Sequence, residues 1–220
     1  MSAHAIASIE KVTDYTKTDV AKLVSIMTEQ EAAAQFKAFS SDIAFELGSA
    51  IRQTFFEKFG TKGDMGCVVS IELFSGHTLF RIAIGNNPIV GPDNWQWVNG
   101  KLNVVRRFGI SSLRVGKEWE SKGLDGEKRG ALFPEYAPFG GGFPIYLHNL
   151  DAPIGAILVS GLPQLDDHQV STPERTPKAQ LILFHSSSWT PSQSARICWY
   201  EKVPDMSQAQ HGGESMQGKA

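Results

Sequence analysis

Four side chains in the first half of this 220-residue chain could do chemistry: His77, Arg81, Asn94 and Lys101. An imidazole can take a metal or a proton, and a guanidinium or an ammonium can hold a carboxylate. His77 and Arg81 lie four apart in "SGHTLFRIAIG", which alternates as a strand does, so both fall on its polar face. Asn94 and Lys101 lie seven apart in "GPDNWQWVNGKLNVVRRFG", which reads as a helix, and seven residues bring them back to within about 20° of each other. That side of the helix is otherwise apolar, with Trp95, Trp97, Val98, Leu102, Val104, Val105 and Phe108. Gln96, Asn99, Asn103, Arg106 and Arg107 take the opposite side. An unpartnered buried ammonium costs several kcal/mol. Either Lys101 snorkels past the tryptophans or pairs with a carboxylate of a neighbouring subunit, or it joins Asn94 in a pocket for a small anion. A buried lysine calls for an acidic group opposite it, such as Glu72 or the carboxylate of a ligand. The neighbouring Gly100 points to close approach of another stretch of backbone.

The same alternatives hold for the histidines. His77, at a strand end, is either a solvated, hydrogen-bonded residue or a ligand to haem or metal; His148, at a turn, reads as solvated. The chain has no HxH, HExxH or CxxC spacing, so no dedicated metal site is predicted. It has no GxSxG, GxGxxG or P-loop either. "FGGGF" (139–143) lacks a following GK[ST] and reads as a flexible loop rather than a phosphate cradle.

The elements that position these residues follow from periodicity. "DVAKLVSIMTEQEAAAQF" spaces Val20, Leu23, Val24 and Met27 as one helical face. "SSDIAFELGSAIRQTFFEKFG" offers Ser40 or Ser41 as N-cap, Gly60 as the stop, and Ala44, Leu47, Ile51 and Phe55 as its stripe. "CVVSIELFSGHTLFRIAIG" reads as a hairpin about Ser75-Gly76. Leu73 then faces Thr78, Ile71 faces Phe80, Val69 faces Ile82 and Cys67 faces Ile84. Glu72 and Arg81 become diagonal neighbours that long side chains can bridge. After the Lys101 helix, "SSLRVGKEWESKG" suggests a second short helix. "LDGEKRGALFPEYAPFGGGF" is a long Gly/Pro-rich loop of the kind that is functional or mobile. "PIYLHNLDAPIGAILVSG" is a second hairpin, turning near Asn149 to Pro153. "LPQLDDHQ" opens as a helix, but the period is lost at Val170-Ser171. From there the text is rich in Ser, Pro, Gln and Gly and reads as disordered.

Composition bounds the rest. The chain is 41% hydrophobic and 20% charged with net charge −2, which suits a globular core and predicts no nucleic-acid partner. Cys67 and Cys198 form no disulfide framework, and the default setting is reducing and cytoplasmic. The opening residues do not read as a signal peptide, and no run of about 18 apolar residues predicts a membrane span.

The order helix, hairpin, helix bearing "WVNGKLNVVRRFG", glycine-rich loop and hairpin ending "PIGAILVSGLP" resembles the HbpS-like haem-degrading domain family. That family includes the C-terminal domain of the PduO cobalamin adenosyltransferase and the glycolate-utilisation G protein. The stretch from Gly76 to Gly116 resembles most closely the branch called uncharacterised protein family 0303. The resemblance implies an α/β, profilin-like sandwich in which an antiparallel sheet is flanked by helices. It divides the chain into an N-terminal arm (1–32), an HbpS-like domain (33–169) and a tail (170–220). The tail reads as disordered and intron-derived, since Val-Ser can be written by a splice-donor sequence, or else as a genuine divergent tail. The resemblance implies binding of haem, a related tetrapyrrole or a small anionic ligand by His77, Arg81, Asn94 and Lys101. Haem-degrading activity comes from the resemblance alone. Self-association into a homo-oligomer is expected, through the tryptophan-bearing helix or a sheet edge. The alternative role is that of an oligomeric interaction protein, with cochaperones that target tail-anchored proteins to the endoplasmic reticulum as partners.

Overall fold

Both period-2 regions fold into hairpins and pair with each other. The computed structural model describes residues 18–60, 65–85 and 90–173. Its elements are α1 (Val20–Ala33), β1 (Gln35–Phe36), α2 (Ser41–Phe59), β2 (Gly66–Leu73), β3 (Thr78–Gly85), α3 (Asp93–Phe108), α4 (Ser112–Ser121), β4 (Gly142–Leu147), β5 (Gly155–Ser160) and α5 (Gln164–Ser171). The sheet order is β1-β4-β5-β2-β3. Four strands are antiparallel, and the two-residue β1 adds in parallel to β4.

The first hairpin keeps the predicted register from Cys67↔Ile84 through Ile71↔Phe80. Burial of Cys67, Val69 and Ile71 on the α2 face enforces it, because a one-residue slip would turn all three onto the opposite face of the sheet. Beyond Ile71 a bulge sets Glu72, not Leu73, opposite Thr78. An irregularity of this kind is common where a strand bends away from its partner.

Two helices sandwich the sheet. α2 is capped by the Ser40 hydroxyl, which accepts from the Ile43 N–H at 3.3 Å, and stops at Gly60. Its stripe of Ala44, Leu47, Ile51 and Phe55 is buried against Val69, Ile71, Ile157 and Val159. α3 covers the other face, placing Val98, Leu102 and Val105 on Val68, Ala156 and Leu158. It ends at Gly109, a left-handed residue with φ 74° that only glycine adopts freely, whose N–H donates to the Val105 carbonyl at 2.8 Å.

α1 packs against α4 through Leu23, Ile26, Met27 and Leu113. Its buried face is rotated from the predicted one, since Val20 and Val24 are only half-buried while Gln30 and Glu31 are buried. Glu31 explains the rotation. Its carboxylate accepts from the Ser111 N–H at the start of α4 and pairs with Arg114, both at 2.8–2.9 Å. A carboxylate at a helix N-terminus is favoured by the unpaired N–H groups there. Most of the predicted arm after residue 19 is therefore part of this packed helix. Residues 1–17 of that arm lie outside the described residues.

The helix begun by "LPQLDDHQ" does develop, as α5. It is held by polar contacts that a search for apolar periodicity cannot register. Lys58 pairs with Asp166, Asp167 reaches into the protein, and Val170 and Ser171 complete the helix in buried positions. Of the predicted tail (170–220), Val170 and Ser171 thus belong to α5 instead of being disordered, and residues 174–220 lie outside the described residues. Among the described residues no helix is long and apolar enough to cross a membrane.

Candidate functional site

Lys101 points into the protein. It is 2% exposed, and its ammonium donates to the Asp167 carboxylate at 2.9 Å and to the Val159 carbonyl at 2.7 Å. Asp167 is 3% exposed, and its other oxygen accepts from the Leu162 N–H at 3.1 Å. A cation on α3 is thereby tied to the end of β5 and to α5.

Burial pushes the Asp167 carboxyl up to about 6, against the downward pull of Lys101 and of the Leu162 and Gly161 N–H groups. It pushes Lys101 below the usual lysine range, against the upward pull of Asp167. Desolvation outweighs attraction on both partners, as expected for an ion pair taken out of water. The nearby Cys67 thiol is pushed up to about 12 by burial and by the Asp167 charge, so it is not a thiolate at neutral pH.

The glycine-rich stretch is the wall of this compartment. A Cβ on Gly140 would collide with the Gln164 carbonyl. One on Gly141 would collide with the Val159 carbonyl and stand 2.9 Å from Lys101 Nζ. One on Gly142 would stand 2.7 Å from Ser112 Oγ and 3.2 Å from Lys101 Cβ. "GGG" is thus a close-packing device around the ion pair, where the sequence reading has a flexible loop. Gly100 meets the expectation for it: Pro134 O and Ala137 N come within 3.0–3.1 Å of the position of its missing Cβ. The preceding loop is tied to α3 as well, since Asn103 Nδ2 donates to the Glu135 carbonyl and Arg107 to that of Gly130, each at 2.8 Å.

The four sequence-predicted residues therefore do not surround one pocket. Lys101 is closed off from solvent by the glycine loop and α5. Asn94 serves its own helix, its Oδ1 accepting from the Gly91 N–H at 2.9 Å. Arg81 stacks on Trp95, with Cζ 3.9 Å from the ring centroid, and forms no ion pair with Glu72. Glu72 accepts from Ser70 Oγ at 2.7 Å instead, and is not the partner of Lys101. His77 is exposed in the β2–β3 turn, its Nδ1 3.0 Å from Ser75 Oγ. What sequence reading missed is Asp167. The signal was the pair of acidic residues opening α5, which read as first-turn helix chemistry alone.

The surroundings of His77 are more open. The Phe74 N–H donates to the Ile154 carbonyl at 2.9 Å, which sets the β2–β3 turn beside the turn before β5. Arg106 lies over the Phe74 ring at 5.4 Å, and Leu150 is 48% exposed. One end of the sheet thus carries an imidazole, an aromatic ring, an apolar side chain and a cation. Among the described residues no cluster of three or more His, Cys, Asp or Glu could hold a metal by itself.

The family described as "Haem degrading protein HbpS-like" matches residues 39–173. The chain belongs to the HbpS-like family. A UPF0303 protein of Edwardsiella ictaluri is 40% identical over 144 residues, covering 64% of this chain and 85% of that protein. One from Streptomyces coelicolor is 35% identical over 152 residues, covering 68% and 89%. Among solved structures, Ybr137w superposes with TM-score 0.63 at 25% identity, covering 80% of this chain and 92% of that one. A PduOC–haem complex superposes with TM-score 0.50 at 16% identity over 63% and 93%, a likeness of fold alone. The HbpS-like match includes both Lys101 and Asp167, and it runs past the Val170-Ser171 point where the sequence reading places the break.

Proposed function

We propose that this HbpS-like chain binds haem or a related tetrapyrrole at the β2–β3 end of its sheet, with His77 facing the iron. The hydrogen bond at His77 carries the reading. Metal-bound histidines commonly use their second nitrogen to donate to a neighbouring acceptor, which fixes the ring and the tautomer. Ser75 Oγ stands at that position, 3.0 Å from Nδ1, and with Nδ1 donating, Nε2 keeps the lone pair an iron would take. Phe74 and Leu150 offer apolar surface, and Arg106 a cation for a propionate. Arg81 lies four residues along the strand, about 13 Å away, a span comparable to the porphyrin with its side chains. Haem would supply the iron; the protein's part is to hold the ring and neutralise its carboxylates. The family description and the haem-bound fold relative support the choice of ligand. Lys101 has no place in this site, and no observation among the described residues supports the cochaperone role.

Haemin titration of the full chain tests the proposal. A saturable Soret band is expected, and His77→Ala should move its maximum and weaken binding by at least about ten-fold. That loss corresponds to about 1.4 kcal/mol. An unchanged band in His77→Ala removes the residue assignment, and no saturable binding by the unmutated chain removes the function.

Self-association fits a second surface. Trp97 packs on Phe133 at 4.5 Å and on Phe139 at 5.4 Å, and Leu132, Phe133 and Phe139 are 60%, 47% and 41% exposed. Exposed aromatic clusters of this kind are typical interface anchors. Among the described residues β3 is also an edge strand, with one row of its backbone groups not taken up by the sheet. Phe108 contributes nothing to this surface because it packs on Trp119 within the chain. Light scattering should return a multiple of the 24.1 kDa chain mass, and a monomer at micromolar concentration would exclude self-association.

A further inference from the structure

A separate cavity of about 280 Å³ opens between the last turn of α3, α4 and the loop after α4. Its floor is aromatic and apolar. Phe108 and Trp119 meet edge to face, with centroids 5.5 Å apart and planes at 82°, and Val115 lies with them in one buried cluster. Its mouth is cationic. Lys122 and Arg129 both line it and are exposed, and among the described residues neither pairs with a carboxylate. The Arg129 guanidinium stands 5.9 Å from the Trp119 ring centroid.

The one acid lining this cavity, Glu118, accepts from Arg114 Nε at 2.8 Å, a guanidinium it shares with Glu31. The Trp119 carbonyl at the end of α4 already accepts from the Lys122 and Leu124 N–H groups at 3.0 and 2.9 Å. The two cations, Lys122 and Arg129, thus outnumber the single acid that lines the cavity. A neutral apolar ligand would fill the floor and leave them unused, and an inorganic anion would leave the floor empty.

We propose that this cavity binds a small aromatic carboxylate, its ring on the Phe108–Trp119 floor and its carboxylate between Lys122 and Arg129. The size fixes the class. Ligand pockets run from about 300 to 1,000 Å³, so this one is at the lower limit and takes one or two fused rings. A tetrapyrrole is excluded. The site is independent of His77 and of the haem proposal.

The test compares 2-naphthoate with its neutral analogue 2-naphthamide by isothermal titration calorimetry on the full chain. Naphthoate should bind at least ten-fold more tightly. The Lys122→Gln/Arg129→Gln double variant should bind the two probes equally, and should keep the haemin response of the unmutated chain. Both substituted side chains are exposed, so its melting temperature should stay close to that of the unmutated protein. Equal affinity of the two probes for the unmutated chain, no heat from naphthoate at millimolar concentration, or retained discrimination by the double variant would each overturn the proposal. The comparison on the unmutated chain needs no variant.

Discussion

Lys101→Met should destabilise the protein by about 3 kcal/mol at pH 7–8, the low end of the range for breaking a buried ion pair. Methionine keeps the length and removes the charge. Asp167 is then stranded in a compartment where it is 3% exposed. Its pKa already stands near 6 with the lysine present, and without the lysine it must rise further. The sign of the pH dependence follows. A carboxyl that is more basic folded than unfolded contributes stability that is full below its unfolded pKa of about 4 and lost as pH rises through the folded value. The cost of Lys101→Met should therefore shrink towards pH 5, where Asp167 takes up a proton, and grow towards pH 8. Replacing both partners, as Lys101→Met/Asp167→Leu, should recover part of the loss, because no charge is then stranded while the Leu162 N–H loses its acceptor. Chemical denaturation at pH 5 and pH 8 checks both statements. A Lys101→Met cost within ~0.5 kcal/mol at pH 8, the level of ordinary surface changes, would mean that the pair is not closed off from water.

Gly141→Ala should cost at least about 3 kcal/mol, at the upper end for overpacking combined with a strained backbone. The residue sits at φ 108°, where a side chain is disfavoured. Its new methyl would collide with the Val159 carbonyl and stand 2.9 Å from the Lys101 ammonium. The Val159 N–H also donates to the Gly141 carbonyl at 2.7 Å, so relief by moving the loop breaks a backbone hydrogen bond. Because loop and ion pair share one compartment, the two effects should not add. In a Lys101→Met background the further cost of Gly141→Ala should be smaller by 0.5–3 kcal/mol, the range found for residues in contact. Additive losses in a double-mutant cycle would show that the glycine acts only through its own backbone.

Much of the scaffold was legible because it rests on periodicity. The β2–β3 register follows from Cys67, Val69 and Ile71 sharing a face, and α2 and α3 follow from their stripes and their stops at Gly60 and Gly109. Gly100 was readable as a point of close backbone approach. The oddity of Lys101 was readable too, since a lysine on an apolar arc breaks the pattern. Its partner was not. Asp167 follows 66 positions later in a short polar helix, and nothing in a helical wheel points across that distance. Glu72 looked suitable because it lay near in the sheet, yet Ser70 holds it. The role of the three glycines was hidden for the same reason: their need for small size comes from Gln164, Val159 and Lys101, none of them local. The surface around His77 depends on a turn-to-turn hydrogen bond between Phe74 and Ile154, which no local pattern announces.

The ion pair also imposes an order on the birth of the protein. Synthesis proceeds at about 5–20 residues per second, so the 66 positions between lysine and aspartate take roughly 3–13 s to be made. By the end of that interval α3 and the strands it covers, β2 and β5, exist as chain, with an ammonium on the face that must become dry. The sandwich cannot close around it without stranding the charge. Closure therefore waits for the last described helix to leave the ribosome, and a nascent chain halted before Asp167 should be retained by chaperones as an open, sheet-exposing intermediate.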